Sequence, residues 1–225
     1  MRDVSPHHHP SDPTLLAYAS GQLAEGLALV VATHLAWCAP CREAVGVLEA
    51  AGGALLAEAA PSGCGEDLLD RTLAALNERS ATRVPAPTAP ATQHILPDLE
   101  LPEPLRSYVG RLKRRSWRRL GPGVGHITLL RHGAGSGTVR LLRIRPGMKM
   151  PRHGHTGMEL AIVLAGAYRD EIGRFARGDL ADLDSEIAHQ PAADEREGCV
   201  CLLATQKPLR FEGRLLRLVQ PLLGF

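Results

Sequence analysis

Aromatic residues are scarce in this chain: two Trp, three Tyr and three Phe amount to 4% of its 225 residues. That argues against one large aromatic-packed barrel and for small helical pieces, turns and β-meanders, with 23 Gly and 17 Pro to supply the bends. Long apolar runs are missing as well. The longest near the start, residues 27–37, is interrupted by Thr33 and His34 and is too short to span a bilayer. No basic segment precedes it, so neither a signal peptide nor a membrane anchor is expected. Five cysteines, Cys38, Cys41, Cys64, Cys199 and Cys201, are an odd number in a chain without a secretory signal. Metal or redox chemistry in the cytoplasm is therefore expected rather than a disulfide framework. No repeat of solenoid length is visible. What is present is 44% hydrophobic residues, enough to bury real cores in two modest domains.

The formal charge of +2 hides a division along the chain. Residues 1–104 carry 5 Lys+Arg against 13 Asp+Glu, whereas residues 105–225 carry 21 against 11. Between the halves, residues 82–104 hold Pro85, Pro87, Pro90, Pro97, Pro102 and Pro104, each of which fixes φ and removes a backbone donor. The expected organisation is a helical domain over 1–81, a Pro-rich linker over 82–104 and a β domain over 105–225.

In the first part, Ser11 followed by Asp12 and Pro13 reads as an N-cap and opening turn. Further helices are expected over 24–37, 41–59 with Gly52–Gly53 as a weak point, and 66–79. In the last of these Leu69, Leu73 and Leu76 form one stripe while Glu66, Asp67, Asp70, Arg71 and Glu78 cover the rest. His34 and Cys38 stand four residues apart on one helical face, and Cys41 opens the next helix. Two thiolates and an imidazole suit tetrahedral zinc, and His9 in the N-terminal arm is the best fourth ligand, with His7 and His8 competing. A rival is the W-C-x-P-C element of thioredoxins, here Trp37 to Cys41, with residues 27–32 as its buried strand and a dithiol reductase activity. It lacks the later strands and cis-proline that such a fold needs, so zinc is preferred. Cys64 reads as a bystander.

Beyond the linker, short β-like runs are separated by glycine turns: 127–131, 138–144, 159–164, 179–183, 199–205 and 215–219. They suggest a sandwich or barrel. Gly147, His153, His155, Glu159 and Gly166 reproduce the first cupin motif at every spacing. His153 and His155 share a strand face, and Glu159 lies further along in the same direction. His189 sits where the second cupin motif puts its final ligand, although Asp184, Glu186 and Ala193 depart from that motif's usual residues. Three imidazoles and a carboxylate make a metal site that suits zinc, iron or manganese. Cys199 and Cys201 share a strand face with Leu203 and read first as small buried hydrophobes, second as a redox sensor. The cationic run from Arg111 to Arg119 carries no accompanying nucleic-acid motif. A solvated edge strand or a surface docking the acidic half is the preferred reading.

The arm histidine, the H-x3-C-x2-C element, the helical remainder, the proline linker and the metal-binding cupin with its late C-x-C together resemble the ChrR family of zinc-dependent anti-sigma factors. The resemblance covers nearly the whole chain and implies a small helical bundle joined to a cupin β-barrel. It implies that the helical domain binds an extracytoplasmic-function sigma factor one to one and blocks its access to core RNA polymerase. The cupin domain would be needed for release under oxidative stress, from singlet oxygen or organic hydroperoxides. It also implies two zinc ions, one on His9, His34, Cys38 and Cys41, the other on His153, His155, Glu159 and His189. Leu69, Leu73 and Leu76 are the candidate sigma contact, and no catalytic residue or direct nucleic-acid partner is expected. The competing function is a cupin metalloenzyme, a dioxygenase or isomerase using Fe(II) or Mn(II), with an appended helical domain.

Overall fold

The computed structural model describes residues 4–63, 65–81, 99–110, 117–131 and 137–211. Cys64, the linker residues 82–98, the cations at 111–116 and the strand expected over 215–219 lie outside the described residues.

Ser11 caps α1 (Asp12–Ala19): its hydroxyl accepts from the Thr14 N–H at 3.4 Å, and Pro13 sits in the first turn, where its missing donor would have had no helical partner. Next come α2 (Glu25–Leu35) and α3 (Ala39–Glu58). Residues 27–32 are thus helix and not a thioredoxin strand. The third helix starts two residues before its expected origin because Cys38 takes the N-cap and Pro40 occupies the first turn, the helical position proline tolerates best. It runs unbroken through Gly52 and Gly53. Then follow α4 (Leu68–Ala81) and α5 (Glu103–Gly110). The fifth helix is additional to the sequence reading; its Leu105 and Val109, one turn apart, are fully buried.

The β part comprises β1 (Arg118–Gly121), β2 (Val124–Arg131), β3 (Thr138–Ile144), β4 (His153–Gly154), β5 (Glu159–Arg169), β6 (Arg174–Ala176), β7 (Leu180–Leu183), β8 (Ala188–His189), β9 (Ala192–Ala193), β10 (Cys199–Thr205) and β11 (Arg210–Phe211). All pairings are antiparallel. One sheet runs β1-β2-β3-β10-β5-β6, with β7 and β9 also on β5, and a small second sheet runs β11-β4-β8. The described end of the cationic run, Arg118 and Arg119, is exposed on the edge strand β1.

The main sheet is apolar on both faces. One face carries Val124, Leu142, Ile144, Ala161, Val163, Cys201 and Leu203 into the interior of the β unit. The other carries Leu141, Leu160, Ile162, Leu164 and Leu202 into a core shared with Leu27, Val30 and Val31 of α2 and Leu105 and Val109 of α5. This explains the unbroken apolar stretch at residues 160–165, where a sheet wet on one side would alternate. Burial of each such side chain contributes about 1.5–3 kcal/mol, so the α2–sheet contact is a substantial part of the fold.

Ile162, fully buried under the helices, tests that packing. Ile162→Ala should destabilise the full chain by about 2–5 kcal/mol in urea unfolding. A cost below about 0.5 kcal/mol, as for a surface position, would show that the helices do not cover this face.

Candidate metal centres

The first cluster forms where the arm meets the α2–α3 corner. His34 ends the buried face of α2, Cys38 caps α3 and Cys41 lies in its first turn, so one short connection presents three donors. His9 arrives from the arm with its Nδ1 at 3.4 Å from both Cys38 Sγ and Cys41 Sγ. Zinc held by sulfur and nitrogen spaces its ligand atoms by about 3.5 Å, so this edge already has the required length. Donor atoms of all four residues lie within 4.8 Å of one another. His34 is fully buried, and its Nε2 has no hydrogen-bond partner among the described residues while its Nδ1 lies 2.9 Å from the Gly178 carbonyl. An orphaned buried nitrogen aimed at two thiols fits a metal ligand, and the Nδ1–H donated to a carbonyl fixes its tautomer. Burial pushes the imidazole of His34 down to about 4, and burial together with the Cys38 thiol pushes Cys41 up to about 12. His34 is therefore neutral and ready to ligate at pH 7, whereas Cys41 must surrender a proton to do so.

The arm is fastened to the β part rather than to the helices alone. The Asp179 carboxylate accepts from the His7 and His8 N–H groups, at 2.6 and 3.0 Å on Oδ1, and from Ala176 N–H at 2.7 Å on Oδ2. Leu180 N–H donates to the His8 carbonyl at 3.1 Å, and the His8 ring lies 4.2 Å from the Phe175 ring. Ser11 donates from its N–H and its hydroxyl to Asp182, at 2.9 and 2.8 Å. His7 and His8 thus serve as anchors on either side of the β6–β7 turn, and His9 alone of the three reaches the thiols. Gly178 has φ +94°, and a Cβ there would stand 2.5 Å from Val4, so only glycine lets the arm lie this close.

The second cluster is held by the strands. His153 and His189 face each other across the β4–β8 pair, and their Nε2 atoms are 3.1 Å apart. Glu159 opens β5 with Oε2 at 3.3 Å from His155 Nδ1 and Oε1 at 4.0 Å from His189 Nε2. All four residues are at least 95% buried and converge within the same 4.8 Å limit. Both ring nitrogens of His155 and Oε2 of Glu159 lack a hydrogen bond among the described residues. Burial lowers His153; for Glu159 burial alone would raise the carboxyl, but the surrounding imidazoles, His155 first, hold it below the usual range. Three imidazoles around a carboxylate are the donor set a divalent cation needs. A cavity of about 430 Å³ opens onto His153, Glu159 and His189, with walls that include Leu142, Ile144, Leu203 and Phe211.

Residues 106–208 match the family model of the ChrR cupin-like domain. The anti-sigma-E factor ChrR of Cereibacter sphaeroides is 45% identical over 215 residues, 95% of this chain and 96% of that protein. The chain belongs to the ChrR family. A solved structure, Rhodobacter sphaeroides SigE in complex with the anti-sigma ChrR, matches with a TM-score of 0.69 and 42% identity over 90% of this chain and 100% of that one. Membership in ChrR makes the chain a regulator rather than a cupin oxygenase, isomerase or dithiol reductase. No described helix is long and apolar enough to cross a membrane.

The chain also holds side chains around the two clusters whose part in them spacing does not reveal. Asp170, its side chain fully shielded, accepts at 2.8 Å from His189 Nδ1 and is itself fixed by the N–H groups of Ile172 and Gly173. The D-x-x-G turn after β5 is its only signal in the sequence. His153 is oriented likewise by the Pro151 carbonyl at 2.8 Å. Cys199 and Cys201 lie buried on β10 with a bulge between Val200 and Cys201, and Cys201 lines the cavity. The adjacent Cys201 thiol and burial hold Cys199 well above the ordinary thiol range. Leu69, Leu73 and Leu76 join neither core: they are 66%, 49% and 57% exposed.

Two outcomes follow for the metal centres. Asp170→Asn should weaken metal retention at the second cluster about 10–100-fold, read by competition with a chromophoric chelator, while leaving the first unaffected. Zinc loading of the first cluster should release protons and weaken from pH 8 to pH 6, because Cys41 holds its proton more firmly than a free thiol. Affinity independent of pH over that interval would exclude Cys41 as a ligand.

Proposed function

We propose that this chain captures an extracytoplasmic-function sigma factor in a 1:1 complex, keeps it from core RNA polymerase, and lets it go when the β part suffers oxidative damage. The observation that carries this reading is α4. Every described side chain of this helix is exposed, including its leucine stripe. A 14-residue helix without packing is marginal in water, so α4 acquires a stable environment when another molecule covers Leu69, Leu73 and Leu76. Val47, Leu55 and Leu56 of α3 are exposed too and offer apolar surface of their own. Asp67, Asp70 and Glu78 give that surface an acidic rim suited to a basic, nucleic-acid-binding partner. The relative's structure with SigE supports the choice of partner.

In this reading zinc sits on His9, His34, Cys38 and Cys41 and holds the α2–α3 corner rigid, supplying the electrostatic clamp that a bundle this small lacks. A second zinc, or iron or manganese, is held by His153, His155, Glu159 and His189. Damage at the second centre reaches the first along β6 and its flanking turns. Asp170 links His189 to the turn before β6, and Asp179 and Gly178, after β6, hold the arm and His34. Cys199 and Cys201 are the thiols placed to register an oxidant, Cys201 through the cavity. The site of action is the cytoplasm, where the polymerase works. The proposed division remains 1–81, 82–104 and 105–225, with α5 (Glu103–Gly110) crossing the last boundary.

The full chain co-expressed with its sigma factor should co-purify as a heterodimer. Leu69→Asp combined with Leu73→Asp should cost at least about 2 kcal/mol of binding while leaving the unfolding midpoint of the free chain unchanged, since both residues are exposed. Cys38→Ser should abolish the complex together with zinc at the first centre. An unweakened complex in the leucine variant would remove α4 from the interface.

A further inference from the structure

The cavity above the second metal cluster is walled by apolar side chains, and two of the chain's four methionines, Met148 and Met150, line it. Both are half-buried on the β3–β4 connection. Met148 lies over Gly123, where a Cβ would come within 2.5 Å of its methyl carbon. The connection is laced to the segment that follows His189: Met150 N–H donates to the Pro191 carbonyl at 2.8 Å and Ala193 N–H to the Met148 carbonyl at 2.9 Å. The same connection leads directly into His153. Two thioethers therefore share an apolar chamber with the metal-ligating side chains, and their backbone braces the two strands that carry His153 and His189.

We propose that Met148 and Met150 are an oxidation site for apolar hydroperoxides admitted to this cavity, a modification that deepens the oxidative-release reading above and rests on it. The sulfur lone pair attacks the distal peroxide oxygen and the O–O bond breaks. The proton of that oxygen passes to the departing alkoxide, which leaves as the alcohol. Sulfur is oxidised by two electrons to the sulfoxide and the peroxide is reduced by two. The apolar walls select an oxidant with a hydrocarbon body over hydrogen peroxide. A thioether reacts without ionising, so it needs no neighbouring base to become a nucleophile. The new S=O dipole is out of place in an apolar chamber and forces the β3–β4 connection to open, which loosens His153 and His189.

The test is peptide mass spectrometry of the metal-loaded full chain after brief exposure to cumene hydroperoxide, with Met1 and Met158 as internal references. Met158 packs against the other core, under the helices. Met148 or Met150 should gain about 16 Da at least about ten-fold faster than either reference, and that preference should shrink with hydrogen peroxide at equal concentration. Met148→Leu with Met150→Leu, which keeps the chamber apolar and of similar volume, should retain its metal before treatment and lose the hydroperoxide-induced metal release. Equal oxidation of all four methionines, or oxidation confined to Cys199 and Cys201, would overturn the site. Selective sulfoxidation with an intact sigma complex would instead uphold the site and sink the release reading, so the two failures are distinct.

Discussion

The imidazole of His34 is the constraint on which the rest of the molecule turns. One nitrogen is bound to a carbonyl of the β part, and the other is directed at two thiols of the helical part. A ring with both nitrogens committed cannot rotate to suit one side without disturbing the other. Helices and sheet are joined by this ring and by the apolar contact of α2 with β5 and β10, so the two parts share a core as well as a donor. The arm completes the arrangement, because the backbone that delivers His9 is anchored on Asp179 by the two residues before it.

The two centres differ in what builds them. The first depends on a helix corner, a cap and a tethered arm, and one of its donor residues, His9, is exposed. The second is built on hydrogen-bonded strands with every ligand buried, and its imidazoles are oriented by Asp170 and Pro151. A corner completed by a tethered arm responds readily to disturbance; a strand-built pocket with supported side chains holds its shape until its own walls change. The path between them runs along one short strand, β6, flanked by the turn bearing Asp170 and the turn bearing Gly178 and Asp179.

Two members of each quartet were legible in the sequence because backbone periodicity dictates them, and His189 was legible from its place in the second cupin motif. His34 and Cys38 are one helical turn apart, and His153 and His155 alternate on one strand. The arm histidine was legible in part: spacing allowed His7, His8 or His9, and only the anchoring of the first two on the β6–β7 turn singles out the third. Asp170 and Asp179 escaped notice because each acts through a turn whose partner is remote in sequence. Asp179 meets His7 across 172 positions. The apolar stretch after Glu159 reads as strand and forms β5, yet its cover on both faces depends on what lies on the outer one, which local sequence does not carry. Pro40 was placed before its helix rather than inside the first turn, which shifted the start of α3 past the cap.

An amphipathic helix that finds no cover among the described residues has a cost outside binding. Its hydrogen bonds open with little resistance while it is alone, and an open segment is where proteases cut first. Covered, the same segment is shielded. Free copies of the chain would then be cleared faster than engaged ones, and the cellular amount of the inhibitor would follow that of the molecule it restrains without any dedicated circuit.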